Sequence, residues 1–527
     1  MTRFAALALF VAATAASVPL ALLVSPWWWL AAAVCGAPAL LGAYDLMQRR
    51  HTVLRNYPVL GHLRYGLESV RPELQQYFVE RDYDGRPYDR DTRTIVYERA
   101  KGEDAEDPFG SELDMNERGY EYLVPSLAPV DVPERAPRVR VGGPDCTLPY
   151  DMALLNVSAM SFGSLSSHAV LALNSGAARG GFAHDTGEGG ISEYHLRPGG
   201  DLVWEIGTGY FGCRTRDGDF DPRQFADRAA LPAVRCLSLK LSQGAKPGMG
   251  GVLPGGKVNA EIAAARGVPQ GRTVVSPPYH RAFSTPRELV LFLARLRELA
   301  EGKPVGFKLC PGSRAQFLAV CKAMLAEGIT PDFIVVDGAE GGTGAAPLEF
   351  ADHLGMPLTE GLIAVHHALI GVGLRDRVRI GASGKVATGS DIVKRLAIGA
   401  DYTNAARAMM FAVGFIQAQR CHTNRCPTGV TTQDPRRVRA LDVADKSVRV
   451  SRYQRATVRS ALQIMAAMGV REPAGLGPHL LRRRGPDFVF RSYAELYPPP
   501  EPGALCAAPP ADWAADWERA DPDRFTV

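Results

Sequence analysis

The sequence predicts an α/β chain in which a two-helix transmembrane hairpin precedes a (β/α)8 TIM barrel. Three observations support this prediction: two long apolar runs at the start, eight short apolar segments that alternate with longer amphipathic ones, and glycine-rich loops directly after those segments. Strands that alternate with helices over such a length are typical of a parallel barrel. A doubly wound open sheet is the alternative, but no G-x-G-x-x-G follows the first predicted strand.

Two apolar runs open the chain, over residues 4–24 and 26–46. A helix of about twenty residues can cross a bilayer, and three tryptophans, residues 27–29, follow the break between the runs, where interfacial aromatic residues collect. Basic residues lie only outside the runs, at Arg3, Arg49, Arg50, His51 and Arg55. We therefore expect a two-pass anchor in the cytoplasmic membrane, with the rest of the chain on the cytoplasmic side. A cleaved signal peptide is the alternative, because residues 12–17 have small side chains.

The bulk composition limits the class of protein. The chain has 527 residues, more than one typical domain, and a formal net charge of +4. This balance shows no basic footprint for nucleic acid. The nine cysteines lack the spacing of a disulfide framework, which suits a reducing compartment. Glycines cluster in short loops between apolar runs, as expected where the backbone approaches a ligand closely.

Beyond the hairpin (residues 1–50), composition divides the chain into three parts. Residues 51–150 are polar and are expected to form an extension packed on the barrel, and residues 151–435 carry the barrel itself. Residues 436–527 are expected to form a helical extension with an exposed proline-rich tail from Tyr497 to Pro510. The eight predicted barrel strands are Leu155–Ser158, Phe182–His184, Leu237–Leu241, Thr273–Ser276, Val305–Leu309, Phe333–Asp337, Val378–Gly381 and Asp401–Ala405.

Ligands of such a barrel bind in the loops that follow the strands. Phosphate is expected near the seventh and eighth strands, at Ser383–Gly384 and Gly399–Ala400, because glycine-rich turns beside helix starts leave backbone N–H groups free. Lys308 lies near the end of the fifth strand, where a cation would face the ring edge of a flavin and stabilise its reduced, anionic form. The alternative for Lys308 is a buried lysine paired with an acid. The rim therefore predicts a barrel that holds flavin mononucleotide (FMN) and performs redox chemistry on a small molecule.

Six motifs in the barrel region carry a resemblance to a known family. In chain order they are Met160–Ser164, Asp185–Gly190, Gln243–Gly248, Ser276–Pro278, Asp337–Gly344 and Cys421–Val430. Together they resemble the synthase domain of glutamate synthase, over about residues 154–435. The apolar hairpin and the polar extension resemble the stand-alone, membrane-anchored branch known as FMN-binding glutamate synthase family proteins.

The resemblance implies FMN and a site for 2-iminoglutarate, formed from 2-oxoglutarate and ammonia and reduced to glutamate by hydride transfer from the flavin. It implies that Lys246 holds one substrate carboxylate, Arg266 the other, and that Glu188 lines the pocket. These roles make chemical sense, since a dicarboxylate needs two cations and an imine needs a nearby acid to stay protonated. The cofactor contacts expected from the loops and the resemblance are Ser161, Gly163, Gln243, Lys308, Asp337, Gly338, Gly342, Thr343, Gly344, Ser383, Gly384, Gly399 and Ala400.

Two substitutions depart from the family pattern. Val252 stands before Leu-Pro-Gly, where the family has a glutamine that contacts the substrate, so the substrate is open to change. The family also binds a [3Fe–4S] cluster through three cysteines, of which Cys421 and Cys426 match the second and third. Phe415 takes the place of the first, and phenylalanine cannot ligate iron. We therefore expect that the cluster is lost and that these two cysteines are its remnant.

The source of ammonia and of electrons is the third departure. The family's full enzyme begins with a cysteine amidotransferase domain, where this sequence has the hairpin, so we expect free ammonia, a partner subunit or a different amine chemistry. No nicotinamide fingerprint is visible, so the expected electron donor is another protein, ferredoxin-like or a reductase. Two alternatives stay open: an FMN-dependent dehydrogenase of another amino or hydroxy acid that passes electrons to a membrane or protein acceptor, and a flavin-binding scaffold without catalysis.

Overall fold

The computed structural model describes residues 2–106, 108 and 110–525, which form two compact units, Met1–Arg90 and Asp91–Val527. The division falls inside the stretch predicted as one polar extension, residues 51–150. Residues 91–150 therefore belong to the same unit as the barrel, and residues 51–90 belong with the apolar hairpin.

The first unit is entirely helical. Its helices are α1 (Ala5–Leu23), α2 (Trp28–Met47), α3 (Thr52–Asn56) and α4 (Gly61–Leu74), with a 3-10 turn at Thr2–Phe4 and a π-helical turn at Gln75–Val79 that continues α4. Helices α1 and α2 pack against each other as a hairpin and expose most of their apolar side chains. Both are long and apolar enough to cross a membrane, a criterion that a signal sequence near the N-terminus also meets.

The second unit is built on fifteen strands and sixteen helices among the residues that the structure describes. The strands are β1 (Glu121–Leu123), β2 (Arg138–Val141), β3 (Tyr150–Ala153), β4 (Leu155–Val157), β5 (His184–Asp185), β6 (Leu202–Ile206), β7 (Val234–Lys240), β8 (Val252–Leu253), β9 (Val274–Val275), β10 (Val305–Leu309), β11 (Phe333–Asp337), β12 (Arg379–Ser383), β13 (Tyr402–Ala405), β14 (Leu481–Arg484) and β15 (Phe490–Ser492). The helices are α5 (Arg90–Lys101), α6 (Ser167–Gly180), α7 (Glu193–Leu196), α8 (Pro222–Ala229), α9 (Ala260–Arg266), α10 (Pro286–Leu299), α11 (Arg314–Glu327), α12 (Leu348–His353), α13 (Leu358–Gly371), α14 (Gly389–Ala397), α15 (Arg407–Ala412), α16 (Pro435–Arg439), α17 (Val443–Ala467), α18 (Tyr493–Leu496), α19 (Ala504–Ala507) and α20 (Ala511–Arg519).

Eight parallel strands close into a barrel, which confirms the predicted fold class. Strands β4 to β7 and β10 to β13 form the closed ring, and β13 pairs with β4 to complete it. The other strands form small antiparallel sheets, β1 with β14 and β15, β2 with β3, and β8 with β9. Because all barrel strands run in one direction, their carboxyl ends meet at a single rim.

Seven of the eight predicted barrel strands are confirmed, and the prediction for Thr273–Ser276 is wrong. Val274 and Val275 pair instead with Val252 and Leu253 in a two-stranded sheet outside the barrel. The missed strand is Leu202–Ile206, whose five residues are all buried. It was missed because only the single-turn helix α7 separates it from β5, so the expected long amphipathic segment is absent there.

The barrel's outer layer extends beyond the predicted end at residue 435. Helix α17 packs along α6 and also contacts α14 and β4. Its buried face includes Val450, Tyr453 and Leu462, and the Tyr453 hydroxyl donates a hydrogen bond to the Ala387 carbonyl.

Half of the residues of the predicted exposed tail, Tyr497–Pro510, are exposed, but this segment and α20 after it also pack on the barrel. Leu505 is fully buried against α13, and Trp513 of α20 is buried against α11. Arg314 of α11 pairs with Asp516 at 2.7 Å while its guanidinium lies 4.7 Å from the centre of the Trp513 ring. The segment therefore packs along two helices of the barrel, because its aromatic and leucine side chains offset the entropy of ordering it.

Asp332 links three segments by hydrogen bonds at the end of the barrel opposite the rim. It is fully buried and directly precedes β11. One carboxylate oxygen accepts hydrogen bonds from Arg297 Nε at 3.0 Å and from the Val305 N–H at 2.7 Å, and the other accepts from the Gly143 N–H at 2.6 Å. A single carboxylate thus joins α10, β10 and the segment that leads into the barrel.

Replacing Asp332 by alanine should lower the free energy of unfolding by about 3 to 5 kcal/mol, because the buried Arg297 would lose its 3.0 Å carboxylate partner and keep only the longer, 3.6 Å pair with the exposed Asp145. The measurement is urea unfolding followed by tryptophan fluorescence. The matched control is Asp219→Ala, which breaks the exposed 3.1 Å pair with Arg281 and should cost less than about 1 kcal/mol. Equal effects of the two changes would contradict this account of Asp332.

Candidate functional site

Lysines on two adjacent strands lie side by side near the carboxyl end of the barrel. Lys240 closes β7 and Lys308 lies on β10, and the two residues are partners in the parallel register. Both are buried, and each has its own acid. Lys240 Nζ lies 2.7 Å from Glu188 Oε2 and 2.9 Å from Gln243 Oε1, while Lys308 pairs with Glu205 of β6. The alternative for Lys308, a buried lysine paired with an acid, is what the structure shows, and the pair lies near the rim.

Besides Glu188 and Glu205, a third carboxyl group, that of Asp185, lies near the Lys308–Glu205 pair. Asp185 ends β5 and is buried, and its Oδ1 accepts a hydrogen bond from the Gly187 N–H at 2.9 Å. Burial raises the pKa of Asp185, and the nearby Glu205 carboxylate raises it further. Burial acts to lower the pKa of Lys308, but the charges of Glu205 and Asp185 raise it above its usual value. Lys308 is therefore a permanent cation in the barrel interior, and Asp185 beside it is an acid that resists ionisation.

Glu188 is an anion at neutral pH. Burial acts to raise the pKa of Glu188, but the Lys240 ammonium, which also donates a hydrogen bond, and the charges of Arg266 and Lys246 lower it to about 2. A β-carbon on Gly251 would lie only 2.1 Å from Glu188 Oε1, so that position needs glycine. Glu188 is thus held as a carboxylate and is not a proton donor at neutral pH.

Lys246 and Arg266 are buried cations of a different kind. They are 3% and 4% exposed, and neither forms an ion pair with a carboxylate in the part of the chain that the structure describes. Lys246 Nζ donates to the Ala345 carbonyl at 2.9 Å. Burial lowers the pKa of Lys246, and burial lowers that of Arg266 to about 10, while the Glu188 carboxylate acts in the opposite direction on both.

Arg266 also keeps an unused donor. Its Nη2 donates to Ser161 Oγ at 3.2 Å and to the Phe162 carbonyl at 3.1 Å, and its guanidinium lies 5.0 Å from the centre of the Phe211 ring. Its Nε is buried without a hydrogen-bond partner among the described residues. A buried guanidinium in this state is suited to an anionic ligand, because an unsatisfied buried donor is costly.

The loops after β7, β11 and β12 are tied together at the rim. Asp337 Oδ2 accepts from the Gly244 N–H at 2.8 Å, and Gln243 Nε2 lies 3.4 Å from Thr343 Oγ1. A β-carbon on Gly244 would lie 1.8 Å from the Gly338 carbonyl oxygen, so only glycine allows this close approach. The predicted cofactor residues that the structure places at the rim are Ser161, Gly163, Gln243, Lys308, Asp337, Gly338, Gly342, Thr343, Gly344, Ser383 and Gly384.

Gly399 and Ala400 do not lie at the rim. They connect α14 to the start of β13, so they lie at the opposite end of the barrel, and their predicted role as phosphate ligands is wrong on geometric grounds. The loop that does follow the eighth strand begins with Ala406 and Arg407, which sequence reasoning missed. Arg407 Nη2 donates to the Glu340 carbonyl, so it links this loop to the loop after β11.

The remnant cysteine pair lies beside a buried lysine. Cys426 is buried and Cys421 is half-buried, and Lys257 Nζ donates to the Thr431 carbonyl at 2.9 Å. Burial lowers the pKa of Lys257 to about 8, with the two cysteines acting in the opposite direction. Phe415, at the position where the resemblance implies the first cysteine, is buried. Two thiols and a phenyl ring do not form the donor set of a three-cysteine cluster.

Sequence reasoning missed Lys240, Glu205 and Asp185. Each lies within or at the end of an apolar strand, in Leu-Ser-Leu-Lys, Val-Trp-Glu-Ile and Phe-Ala-His-Asp. A charged residue inside such a run was the available signal, because a buried strand admits a charge only where a partner neutralises it.

Comparison with known proteins agrees with this geometry. A family model described as a conserved region in glutamate synthase matches residues 151–471. The chain belongs to the glutamate synthase family. The matched region begins just before the first barrel strand and ends after α17, so the family region includes the outer helix beyond residue 435.

Individual members of the glutamate synthase family match over different lengths. Glutamate synthase large subunit-like protein YerD of Bacillus subtilis is 37% identical over 470 residues, which are 81% of this chain and 89% of that protein. Archaeal glutamate synthase (NADPH) of Methanocaldococcus jannaschii is 33% identical over 330 residues, which are 62% of this chain and 61% of that protein. Among solved structures, a flavocytochrome b2 mutant with pyruvate bound is 13% identical with a TM-score of 0.41, covering 79% of this chain and 85% of that one.

If the site binds 2-oxoglutarate, as the resemblance implies, replacing Arg266 by glutamine should weaken that binding by about 10- to 100-fold, because a buried charged hydrogen-bond donor to a carboxylate is lost. The measurement is isothermal titration of the purified protein. The matched control is Arg214→Gln, since Arg214 lies 5.5 Å from the same Phe211 ring, and it should leave the affinity unchanged. A similar loss in both variants would show that only the packing around Phe211 matters.

Proposed function

We propose that this chain is an FMN-dependent oxidoreductase of glutamate synthase type that reduces 2-iminoglutarate, formed from 2-oxoglutarate and ammonia, to glutamate. One observation carries the proposal. Lys246 and Arg266 are buried without a carboxylate partner among the described residues, and both lie within electrostatic range of the ionised Glu188. Two unneutralised cations beside one anion match a dicarboxylate that carries a cationic iminium group.

The charge of each residue in the site determines the role that we propose for it. Lys246 and Arg266 bind the two carboxylates and orient the carbon that accepts hydride. Glu188, with a pKa of about 2, stabilises the protonated imine by its charge rather than by donating a proton. Asp185, whose pKa burial raises, is the buried acid near the rim that is able to hold a proton at neutral pH.

The rim also fits FMN. Two features support FMN: Lys240 and Lys308 lie side by side, and cations near a reduced flavin would stabilise its negative charge, while Ser383 and Gly384 at the end of β12 would offer polar groups to a phosphate. When bound, the flavin supplies the hydride. We propose that its electrons come from a ferredoxin-like protein or a reductase.

A second candidate function keeps the flavin and changes the substrate. Val252 is half-buried on β8 and offers no polar contact where the family has a glutamine. This observation favours an FMN-dependent dehydrogenase of a different amino or hydroxy acid, with electrons passed to a membrane or protein acceptor. The two candidates differ in the direction of flux, so reduction of the bound flavin by candidate acids supports the second, and glutamate formation from 2-oxoglutarate and ammonia supports the first.

Val252→Gln should separate the two candidates. If 2-oxoglutarate is the substrate, restoring the amide should lower its KM by about 10-fold, the effect expected of one good polar contact, with little change in kcat. The measurement is glutamate formation with reduced ferredoxin or a dye as donor. The matched control is Val275→Gln at the cross-strand partner of Val252, which is 68% exposed and should have no effect. An unchanged or higher KM in Val252→Gln would count against 2-oxoglutarate.

We also propose that the cluster of the family is lost in this chain. The donor set supports this, since only Cys421 and Cys426 remain of the family's three thiolates and the buried Phe415 takes the place of the first. The Phe415 ring packs 6.0 Å from Phe411, and its carbonyl accepts a hydrogen bond from the Tyr97 hydroxyl at 2.8 Å. Aromatic packing thus occupies the space where a cluster ligand would stand.

Phe415→Cys should restore iron binding. Protein purified without oxygen should contain flavin and negligible iron, and Phe415→Cys should gain about three iron atoms per chain after reconstitution with iron and sulfide, because the third thiolate returns. Iron analysis with the visible absorption spectrum measures this. Phe411→Cys, a buried aromatic neighbour, is the control and should gain none. A full cluster in the unaltered protein would refute the loss.

The hairpin supports a further part of the proposal, a two-pass anchor in the cytoplasmic membrane with the barrel on the cytoplasmic side. Leu22 and Leu23 at the end of α1 are 68% and 85% exposed, a state that suits lipid better than water. Extraction of membranes with alkaline carbonate tests this proposal: an anchored chain stays in the pellet, and a chain with a cleaved leader is shorter and soluble.

A further inference from the structure

Helix α4 and the π-helical turn after it carry an uncovered apolar face. Six apolar side chains recur at intervals of three and four residues, which places them on one face of a helix. They are Leu60, Leu63, Leu67, Val70, Leu74 and Phe78, and we name this set the α4 stripe. All six are exposed, from 43% at Leu74 to 82% at Phe78.

The rest of α4 is polar. Arg64 and Glu68 form an ion pair at 2.9 Å across one turn, and Arg71 follows on the same flank of the stripe, one turn further on. A narrow apolar face bordered by arginines is typical of helices that lie in the plane of a membrane surface.

A buried carboxylate fixes where α4 begins. Asp45 lies in the last turn of the apolar helix α2 and is fully buried. Its Oδ2 accepts a hydrogen bond from the Val59 N–H at 3.0 Å, and its Oδ1 lies 2.8 Å from His62 Nε2. These bonds explain why an acid is tolerated at this point of α2. They also hold the first turn of α4 level with the end of α2.

Further contacts hold together the connection between α2 and α4, which we call the elbow, without covering the α4 stripe. A β-carbon on Gly42 would lie 2.9 Å from Val59 Cγ2, so the chain before α4 packs directly on α2. The rings of His51 and Tyr65 meet edge to face at 5.7 Å. His62 and Tyr65 lie on a different face of α4 from the stripe, because their positions fall between its members in the helical repeat. The elbow therefore positions the helix and leaves the stripe open.

We propose that α4 lies along the surface of the lipid bilayer, with the α4 stripe at the boundary of headgroups and acyl chains. This inference rests on the proposed anchoring by α1 and α2: if α2 crosses the bilayer, its last turn lies at the membrane surface, and Asp45 holds α4 there. Arg64 and Arg71 then face lipid phosphates. The exposed Arg49, Arg50 and Arg55 in the elbow favour anionic lipid.

A second copy of the chain is a less favoured partner for the stripe. Intervals of three and four residues also occur in coiled coils. However, Gly66 and Pro72 lie inside α4, and glycine and proline both weaken a helix that has to pair along its length. Lipid needs no association of chains, because α2 already delivers the helix to it.

The test uses the full-length protein in vesicles that contain anionic phospholipid. Single cysteines carrying nitroxide labels replace Leu63, Leu67, Val70 and Leu74 in turn, with Ser69 on the polar face as the matched control. The exposed Cys506 is changed to serine to remove background. Power-saturation spectroscopy then measures collision of each label with oxygen, which enters lipid, and with a water-soluble nickel chelate.

The expected result is an oxygen-to-nickel ratio that is higher at the four stripe positions than at Ser69 and that follows the 3.6-residue period of the helix. Low collision with both reagents at the stripe would overturn the proposal, because protein would then cover it, and spin–spin broadening between chains would identify a second copy. High collision with nickel at the stripe would also overturn it. Carbonate extraction of the same samples shows separately whether the hairpin anchors the chain, so failure of the anchor and failure of the stripe are distinguishable.

Discussion

Neutralisation of two lysines organises the rim of this barrel. Lys240 and Lys308 sit side by side on neighbouring strands, and the carboxylates of Glu188 and Glu205 compensate them. Buried charge is costly unless it is paired and hydrogen bonded. Because these pairs are complete, the unsatisfied charge of the site is concentrated on other groups, chiefly Lys246 and Arg266. The anionic substrate of the proposed function would therefore be bound by the positive charge that these interior pairs leave unneutralised.

The same arrangement assigns different protonation states to two nearby acids, Asp185 and Glu188. Burial raises the pKa of Asp185, whereas Lys240 outweighs burial and lowers the pKa of Glu188 to about 2. Glu205 has Lys308 as its direct partner. One rim thus contains an acid that keeps its proton, Asp185, and one held as an anion, Glu188, because burial and a neighbouring carboxylate dominate at the first and a direct lysine partner dominates at the second.

The sequence predicts the barrel well where its signals are local. Seven strands and the glycine-rich rim follow from local patterns, and the residues that the resemblance implies, Lys246 and Arg266, both lie within electrostatic range of Glu188. The errors arise where the local pattern is incomplete or ambiguous. Strand β6 was missed because one helical turn separates it from β5, and Gly399 was misplaced because a glycine-rich turn before a strand has the composition of one after it. The bond between Asp45 and His62 joins positions 17 apart and has no periodic signature.

Contacts between residues far apart in the sequence determine when the barrel can close during synthesis. Thr403 Oγ1 donates to the Leu154 carbonyl across 249 positions, and Arg314 pairs with Asp516 across 202. Translation extends the chain by about 5 to 20 residues per second, so the first barrel strand waits on the order of ten to fifty seconds for the eighth. The apolar hairpin leaves the ribosome long before that. The barrel therefore closes late, after the helices before it have had time to reach a bilayer, and its early strands need protection from wrong pairing during the interval.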